Sequence, residues 1–273
     1  MKNFKKTAAL AGVALIVLLF VLSLIFALGE GETAQAWFRG TFAAAFILPI
    51  FLYIFFMVYK VVKKDKGTPQ ETTEIKNVIF DIGKVLMSFE WEKFLKDMGY
   101  SGEKMEKIAQ ATFLSEIWQE RDRGFLTEEE YVEQCVALAP EYETDIRKVM
   151  SETYRTVKLY PYAETWVRYL KKRGYHLYII SNFSHYMLEK NEKEMVFRKY
   201  MDGEVFSCDV HELKPEAEIY ETLLQKYILN PEECVMIDDR PENCDGARAA
   251  GMQAILFKDF KQAAEELKDL GVA

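Results

Sequence analysis

The residues best suited to chemistry stand where apolar runs stop. Asp81 ends the run in "VIFDIGKVL" (78–86), Ser181 and Asn182 end the run that begins "HLYIIS" (176–181), Asp238 and Asp239 end "CVMIDD" (234–239), and Lys214 stands directly before Pro215. A carboxylate can attack phosphorus to form an acyl phosphate, a hydroxyl and an ammonium can hold the phosphoryl oxygens, and further acids can bind Mg2+. Together these side chains make a set for phosphoryl transfer. Two positions after Asp81, where a second carboxylate would suit acid–base work, the chain has Gly83.

To converge, these side chains need a common scaffold, and the runs themselves supply it. "NVIFDI", "HLYIIS", "CVMIDD" and "QAILF" are short and apolar, as strands buried on both faces are, and "GEVFS" at 203–207 is a weaker fifth candidate. Helical spacing lies between them. Trp166, Val167, Tyr169 and Leu170 recur within 163–173 before Gly174; Ile219, Leu223, Leu224 and Tyr227 recur within 216–228, with Pro215 at the expected first helical position. This alternation predicts an α/β fold with a parallel sheet covered on both faces, whose carboxyl edge is where ligands bind. Between Trp91 and Val157 no strand-like run occurs, and Thr127 with Glu130 makes a capping box before "YVEQCVALA". That block is expected to be a helical subdomain inserted after the first strand.

In order along the chain, "FDIGKVL", "IISNFS", "ELKPEAEIY" and "MIDDRPENCDGARAAGM" resemble the four motifs of the haloacid dehalogenase-like (HAD) superfamily, in its subfamily with a helical cap after the first motif. The resemblance covers roughly residues 75–260. It implies a Rossmann-like parallel sheet with Asp81 as nucleophile and with Ser181 and Lys214 on the transferring phosphoryl group, Asn182 lying beside the substrate. It also implies a Mg2+ site made by Asp239 and Asp81, assisted by Asp238, with the main-chain carbonyl of Gly83 as a further contact. Many members of the superfamily have an aspartate at the second position, which protonates the leaving oxygen and then activates water. Gly83 can do neither. Relatives resembling sugar-phosphate phosphatases also have glycine there, so the departure is compatible with activity.

Other residues admit two readings. Asn243 either caps a helix or supports the metal site; His185, four residues after Ser181, is either a surface histidine or a substitute acid. Phe89, Glu90 and Trp91, where the chain enters the cap, either pack a core or line the substrate pocket. Taken singly, Asp81 could be a strand-end acid capping a loop, and Lys214 a solvated surface lysine. The adjacent acids Asp238 and Asp239, by contrast, repel one another unless a cation lies between them.

The N-terminal portion has a different texture. Residues 7–28 carry no charge and residues 41–62 carry only Lys60, so each is long enough as a helix to cross roughly 30 Å of hydrocarbon. Joined by "GEGETAQAWFRG", they predict a transmembrane hairpin, with residues 1–62 as anchor, 63–76 as a polar tether and 77–273 as the hydrolase domain, its cap at about 90–158. Lys2, Lys5 and Lys6 precede the first span and Lys63, Lys64 and Lys66 follow the second, which places both termini in the cytoplasm at the cell membrane. A signal peptide cleaved after "AQA" (34–36) is the rival; the long first run and the second span favour the hairpin.

Charge divides the chain in the same place. Residues 1–76 hold nine Lys/Arg against five Asp/Glu, whereas the whole chain carries a formal charge of -8. The acidic remainder argues against nucleic acid as a partner. Cys135, Cys208, Cys234 and Cys244 are widely spaced with no C-x-x-C pair, which predicts free buried thiols and neither a disulfide framework nor a zinc site. The expected function is a membrane-anchored, Mg2+-dependent phosphatase that hydrolyses a small phosphomonoester, a sugar phosphate being one candidate, through an aspartyl-phosphate. The alternatives are a haloacid dehalogenase, which uses a similar aspartate without Mg2+, and a catalytically weak module that binds a phosphorylated ligand at the membrane.

Overall fold

Five short strands lie side by side in one parallel sheet, ordered β3-β2-β1-β4-β5: β1 (Asn77–Phe80), β2 (His176–Ser181), β3 (Gly203–Phe206), β4 (Cys234–Asp238) and β5 (Gln253–Leu256). They are the five segments expected from the apolar runs. The computed structural model describes residues 73–272 and isolated positions between 21 and 39. The expected membrane hairpin and most of the tether therefore lie outside the described residues. Among the described residues no helix is long and apolar enough to cross a membrane.

Strand register brings the chemistry to one edge. Phe80 is level with Ile179 on β2 and with Ile237 on β4, so Asp81, Ser181 and Asp238 all emerge at the carboxyl end of the three central strands. Successive side chains face opposite sides of the sheet. Val78, Phe80, Leu177, Ile179, Val235 and Ile237 enter one apolar core, and Ile79, Tyr178, Ile180, Cys234 and Met236 enter the other.

Helices cover both faces and build the cap. The cap comprises α1 (Trp91–Asp97), α2 (Gly102–Ala111), α3 (Glu116–Arg123), α4 (Glu128–Leu138) and α5 (Glu143–Ser151). After it come α6 (Ala163–Lys172), α7 (His185–Asn191), the short α8 (Ser207–Val210), α9 (Ala217–Lys226), α10 (Pro241–Ala249) and α11 (Phe260–Asp269). Helices α6 and α11 pack on the first face through Trp166, Val167, Leu170, Ala263 and Leu267; α9 and α10 pack on the second through Ile219, Tyr220, Leu223 and Ala247.

Two details of the expected helices differ. Tyr169 is 50% exposed, because the buried stripe of α6 runs through Ala163, Trp166, Val167 and Leu170 and Tyr169 falls beside it. Helix α9 begins at Ala217, after Pro215. Both backbone polar groups of Lys214 are taken by the Asn182 side chain, at 2.8 and 3.0 Å, which holds this segment in a turn ahead of the helix.

The cap has its own apolar packing, one cluster around Phe94, Leu95, Ile108, Phe113 and Val149 and another around Val132, Cys135, Ile146 and Met150. The expected capping box of Thr127 and Glu130 starts α4. The chain enters and leaves the cap along two antiparallel segments tied by Ser88 N–H to Lys158 C=O and Glu90 N–H to Thr156 C=O, both 2.8 Å. All four cysteines are free and buried.

Candidate active site

The site is assembled from loops that follow the central strands. After β1, the amides of Val85, Leu86 and Met87 all turn back to the carbonyl of Ile82, at 3.2, 2.9 and 2.9 Å, and Lys84 adopts a left-handed φ of 55°. This tight turn puts Asp81 at its base. The Gly83 backbone is not left-handed, and a Cβ there would meet nothing closer than Asp81 Oδ2 at 3.8 Å. Neither φ nor crowding demands glycine; the absent side chain leaves room beside the Asp81 carboxylate.

Asp81, Ser181 and Lys214 meet in a buried cluster, each less than a tenth exposed. Ser181 Oγ donates to Asp81 Oδ1 at 2.8 Å, and Lys214 Nζ donates to the same oxygen at 2.7 Å and to Asp238 Oδ2 at 2.6 Å. Oδ1 is thus loaded twice, while Oδ2 accepts no hydrogen bond among the described residues. Asn182 contributes through the main chain, bracing Lys214 from β2.

The charges explain the energetics. Burial pushes the Asp81 carboxyl up to about 6, against the pull of Lys214 and with a further push from Asp238. Burial alone would lower the Lys214 ammonium, but the charges and hydrogen bonds of Asp81 and Asp238 outweigh it and hold the group above its ordinary range. Asp239 is raised by burial and by its neighbour Asp238, with Lys84 opposing; the Lys84 ammonium lies 3.8 Å from Asp239 Oδ2.

Asp81, Asp238 and Asp239 each offer a carboxylate oxygen within 4.8 Å of the others. Oxygen-only donors of this kind suit a hard divalent cation. Asn243 supports the same reading: its Nδ2 donates to Asp238 Oδ1 at 2.9 Å, while its Oδ1 is buried without a partner. An orphaned buried acceptor beside three acids is satisfied when a cation or its bound water lies between them. The chain therefore fits Mg2+ at this place.

A cavity of about 540 Å³ opens over the cluster. Its inner end is formed by Asp81, Gly83, Ser181, Lys214, Asp239 and Asn243; its outer wall is largely apolar, with Phe89, Phe113, Trp118, Val157, Phe183 and Met187. Of the three residues at the cap entrance, Phe89 lines this cavity, Trp91 stacks on Phe113 at 5.7 Å within the cap, and Glu90 is exposed. His185 does not line it: the ring is exposed at the start of α7, 3.7 Å from Asp209. Asp122, on α3, does line it, although its context in the charged run "QERDRG" (119–124) has the signature of a solvated helix face.

Comparison with known proteins places this geometry. A flavin mononucleotide hydrolase of Arabidopsis thaliana is 24% identical over 159 residues, 57% of this chain and 62% of its own length; the chain thus spans less than two thirds of that protein. A sesquiterpene phosphatase of Aspergillus oryzae is 26% identical over 72% of this chain and 97% of its own length. A HAD-family enzyme of Bacteroides thetaiotaomicron, solved with magnesium and inorganic phosphate, superposes with a TM-score of 0.56 at 20% identity, covering 69% of this chain and 98% of that one. The description haloacid dehalogenase-like hydrolase matches residues 75–251, and with that span, well over half its length, the chain belongs to the haloacid dehalogenase-like hydrolase family.

Proposed function

We propose that this hydrolase is a Mg2+-dependent phosphatase acting on a small phosphomonoester through an aspartyl-phosphate on Asp81. The observation that carries the reading is the position of Lys214 Nζ between Asp81 and Asp238, with a third acid and an orphaned amide oxygen beside them. A single cation facing a carboxylate suits a nucleophile that must approach an anionic phosphoryl group. Ser181 and Lys214 fix the carboxylate through Oδ1, which leaves Oδ2 to attack, and they then hold the equatorial oxygens. Bound at Asp81, Asp238 and Asp239, Mg2+ would neutralise charge that develops on the phosphoryl group. A dehalogenase has no use for that set of acids.

The apolar outer wall supports a reading of the substrate class. Phe89, Phe113 and Trp118 present flat rings, so the alcohol part carries an apolar face, as a prenyl or aryl group does, or as the C–H face of a sugar does. The sequence of residues 1–62 supports attachment to the membrane with the catalytic domain in the cytoplasm. Phosphate release by the full chain in detergent, with Mg2+, from a panel of prenyl, aryl, hexose and polyol phosphates tests the reading. Turnover of prenyl, aryl or hexose phosphates ahead of polyol phosphates is expected; no turnover of any member overturns it.

A further inference from the structure

Hydrolysis of an alkyl phosphate needs a proton for the leaving oxygen, and Gly83 has none to give. We propose that Asp122, carried into the cavity by the cap, is the acid–base residue of this site. The inference rests on the phosphatase reading of Asp81.

Three observations carry it. First, Asp122 lines the same cavity as Asp81, Gly83 and Lys214, on the wall contributed by the cap. Second, although arginines flank it in sequence, both are occupied elsewhere. Arg121 is bound to Glu128, its Nε at 2.9 Å from Oε2, and Arg123 makes a fork to Glu216 at 2.7 and 3.0 Å. Asp122 forms no salt bridge among the described residues, so its carboxyl group is not locked as an anion. Third, the end of α3 is fastened to the body of the protein. The Ser207 hydroxyl donates to the Asp122 carbonyl at 2.5 Å, His211 Nδ1 lies 2.9 Å from the Arg123 carbonyl, and a Cβ on Gly124 would come within 2.9 Å of Cys208. A group meant to move a proton needs such a fixed mount.

The surroundings set its proton affinity near neutrality. Burial raises the Asp122 carboxyl most, and the charges of Asp81 after β1 and Glu128 on α4 add to that; the Arg121 guanidinium and the Ser184 amide ahead of α7 oppose it, and the result is about 7. Cys208 on α8, which feels the Asp122 charge, is itself pushed up to about 12, first by burial and then by Asp209, and stays a neutral thiol. An acid balanced near working pH serves both halves of a two-step hydrolysis.

The steps balance. In the first, an Asp81 oxygen bonds to phosphorus as the P–O bond to the alcohol breaks; the leaving oxygen keeps the electron pair and takes the proton of Asp122, releasing the free alcohol. In the second, water attacks phosphorus and gives a proton to the Asp122 carboxylate as the bond to Asp81 breaks. Inorganic phosphate leaves, and both acids return to their starting forms.

The test uses the full chain in detergent with Mg2+, comparing p-nitrophenyl phosphate, whose leaving group needs no proton, with butyl phosphate. Asp122→Asn is expected to lower kcat/KM for butyl phosphate by roughly a hundredfold or more and for p-nitrophenyl phosphate by less than about threefold. Retained turnover of the aryl ester shows that the variant is folded. In wild type, kcat/KM for butyl phosphate should fall as pH rises through about 7, and Asp122→Asn should abolish that limb. With p-nitrophenyl phosphate the variant should accumulate phosphorylated Asp81, seen by mass spectrometry, because the second step lacks its base. Adding Gly83→Asp to Asp122→Asn should restore butyl phosphate hydrolysis. Wild-type turnover with equal losses on both esters overturns the role of Asp122 alone; absence of both turnover and phosphoenzyme in wild type overturns the phosphatase reading beneath it.

Discussion

Ser181 Oγ and Asp81 Oδ1 lie 2.8 Å apart although 100 residues separate them in the chain. The contact exists because β2 is the parallel neighbour of β1, with Phe80 level with Ile179, so that Asp81 and Ser181 both lie at the carboxyl end of the pair. Lys214 loads the same carboxylate oxygen. The Asp81 carboxylate is therefore held in one orientation by two donors from two further segments of the chain.

Asp81→Asn should remove turnover, with a loss of roughly a thousandfold or more, since an amide is a far poorer nucleophile. The same variant carries a stability signature in metal-free buffer. The folded-state value of about 6 stands above the ordinary 3.8, so the ionised carboxylate costs stability above pH 6, and the cost disappears as pH falls from 6 towards 4. Asp81→Asn is expected to be more stable than wild type at pH 7.5, by up to about 3 kcal/mol, and equal to it near pH 3.5. Thermal melts in EDTA at the two pH values measure this; a less stable variant at pH 7.5 contradicts it.

Lys214→Met leaves two buried carboxylates facing each other. Breaking a buried pair by removing one partner costs about 3–5 kcal/mol, and here the loss should shrink as acid neutralises Asp81. Denaturant titration of the metal-free protein at pH 7.5 and pH 5 should show the difference. An unchanged midpoint at pH 7.5 would mean that the cation is not holding these acids together.

Gly83→Ala should fold at least as well as wild type. The nearest atom to the new Cβ is Asp81 Oδ2 at an ordinary 3.8 Å, and the backbone is not left-handed. Replacing glycine at such a position typically stabilises by about 0.4–1 kcal/mol through the unfolded chain. A melting temperature below wild type would show that the turn after β1 needs glycine after all.

Membrane topology is tested on the full chain in intact cells. Gln35→Cys should react with an impermeant thiol reagent and Gln70→Cys should not, against a low background because the four native thiols are buried. Labelling at position 70 alone would reverse the orientation.

The strands were legible because buried parallel strands are written as short unbroken apolar runs, and the residues that stop those runs are the ones that meet. Asp81, Ser181, Lys214, Asp238, Asp239 and Asn243 gather at one end of the sheet. Asn182 turned out to act through the Lys214 backbone, which spacing cannot express, since it depends on a contact between segments 32 residues apart. Asp122 was invisible for another reason. Its neighbours Glu120, Arg121 and Arg123 give α3 the polarity of an outer surface, and only the tertiary pairing of Arg121 with Glu128 and of Arg123 with Glu216 leaves the aspartate to the cavity.

The Arg123 fork has a kinetic meaning. It joins the last residue of α3 to Glu216, two residues beyond Lys214, so the cap cannot swing away from the Lys214 end of the cavity without breaking it. The Arg123 side chain is 20% exposed and that of Glu216 41%, which leaves the pair within reach of dissolved ions. Added salt weakens such a pair. The residence time of whatever the cap encloses should therefore shorten as ionic strength rises, and the rate of product escape should respond to salt even where bond making and breaking do not.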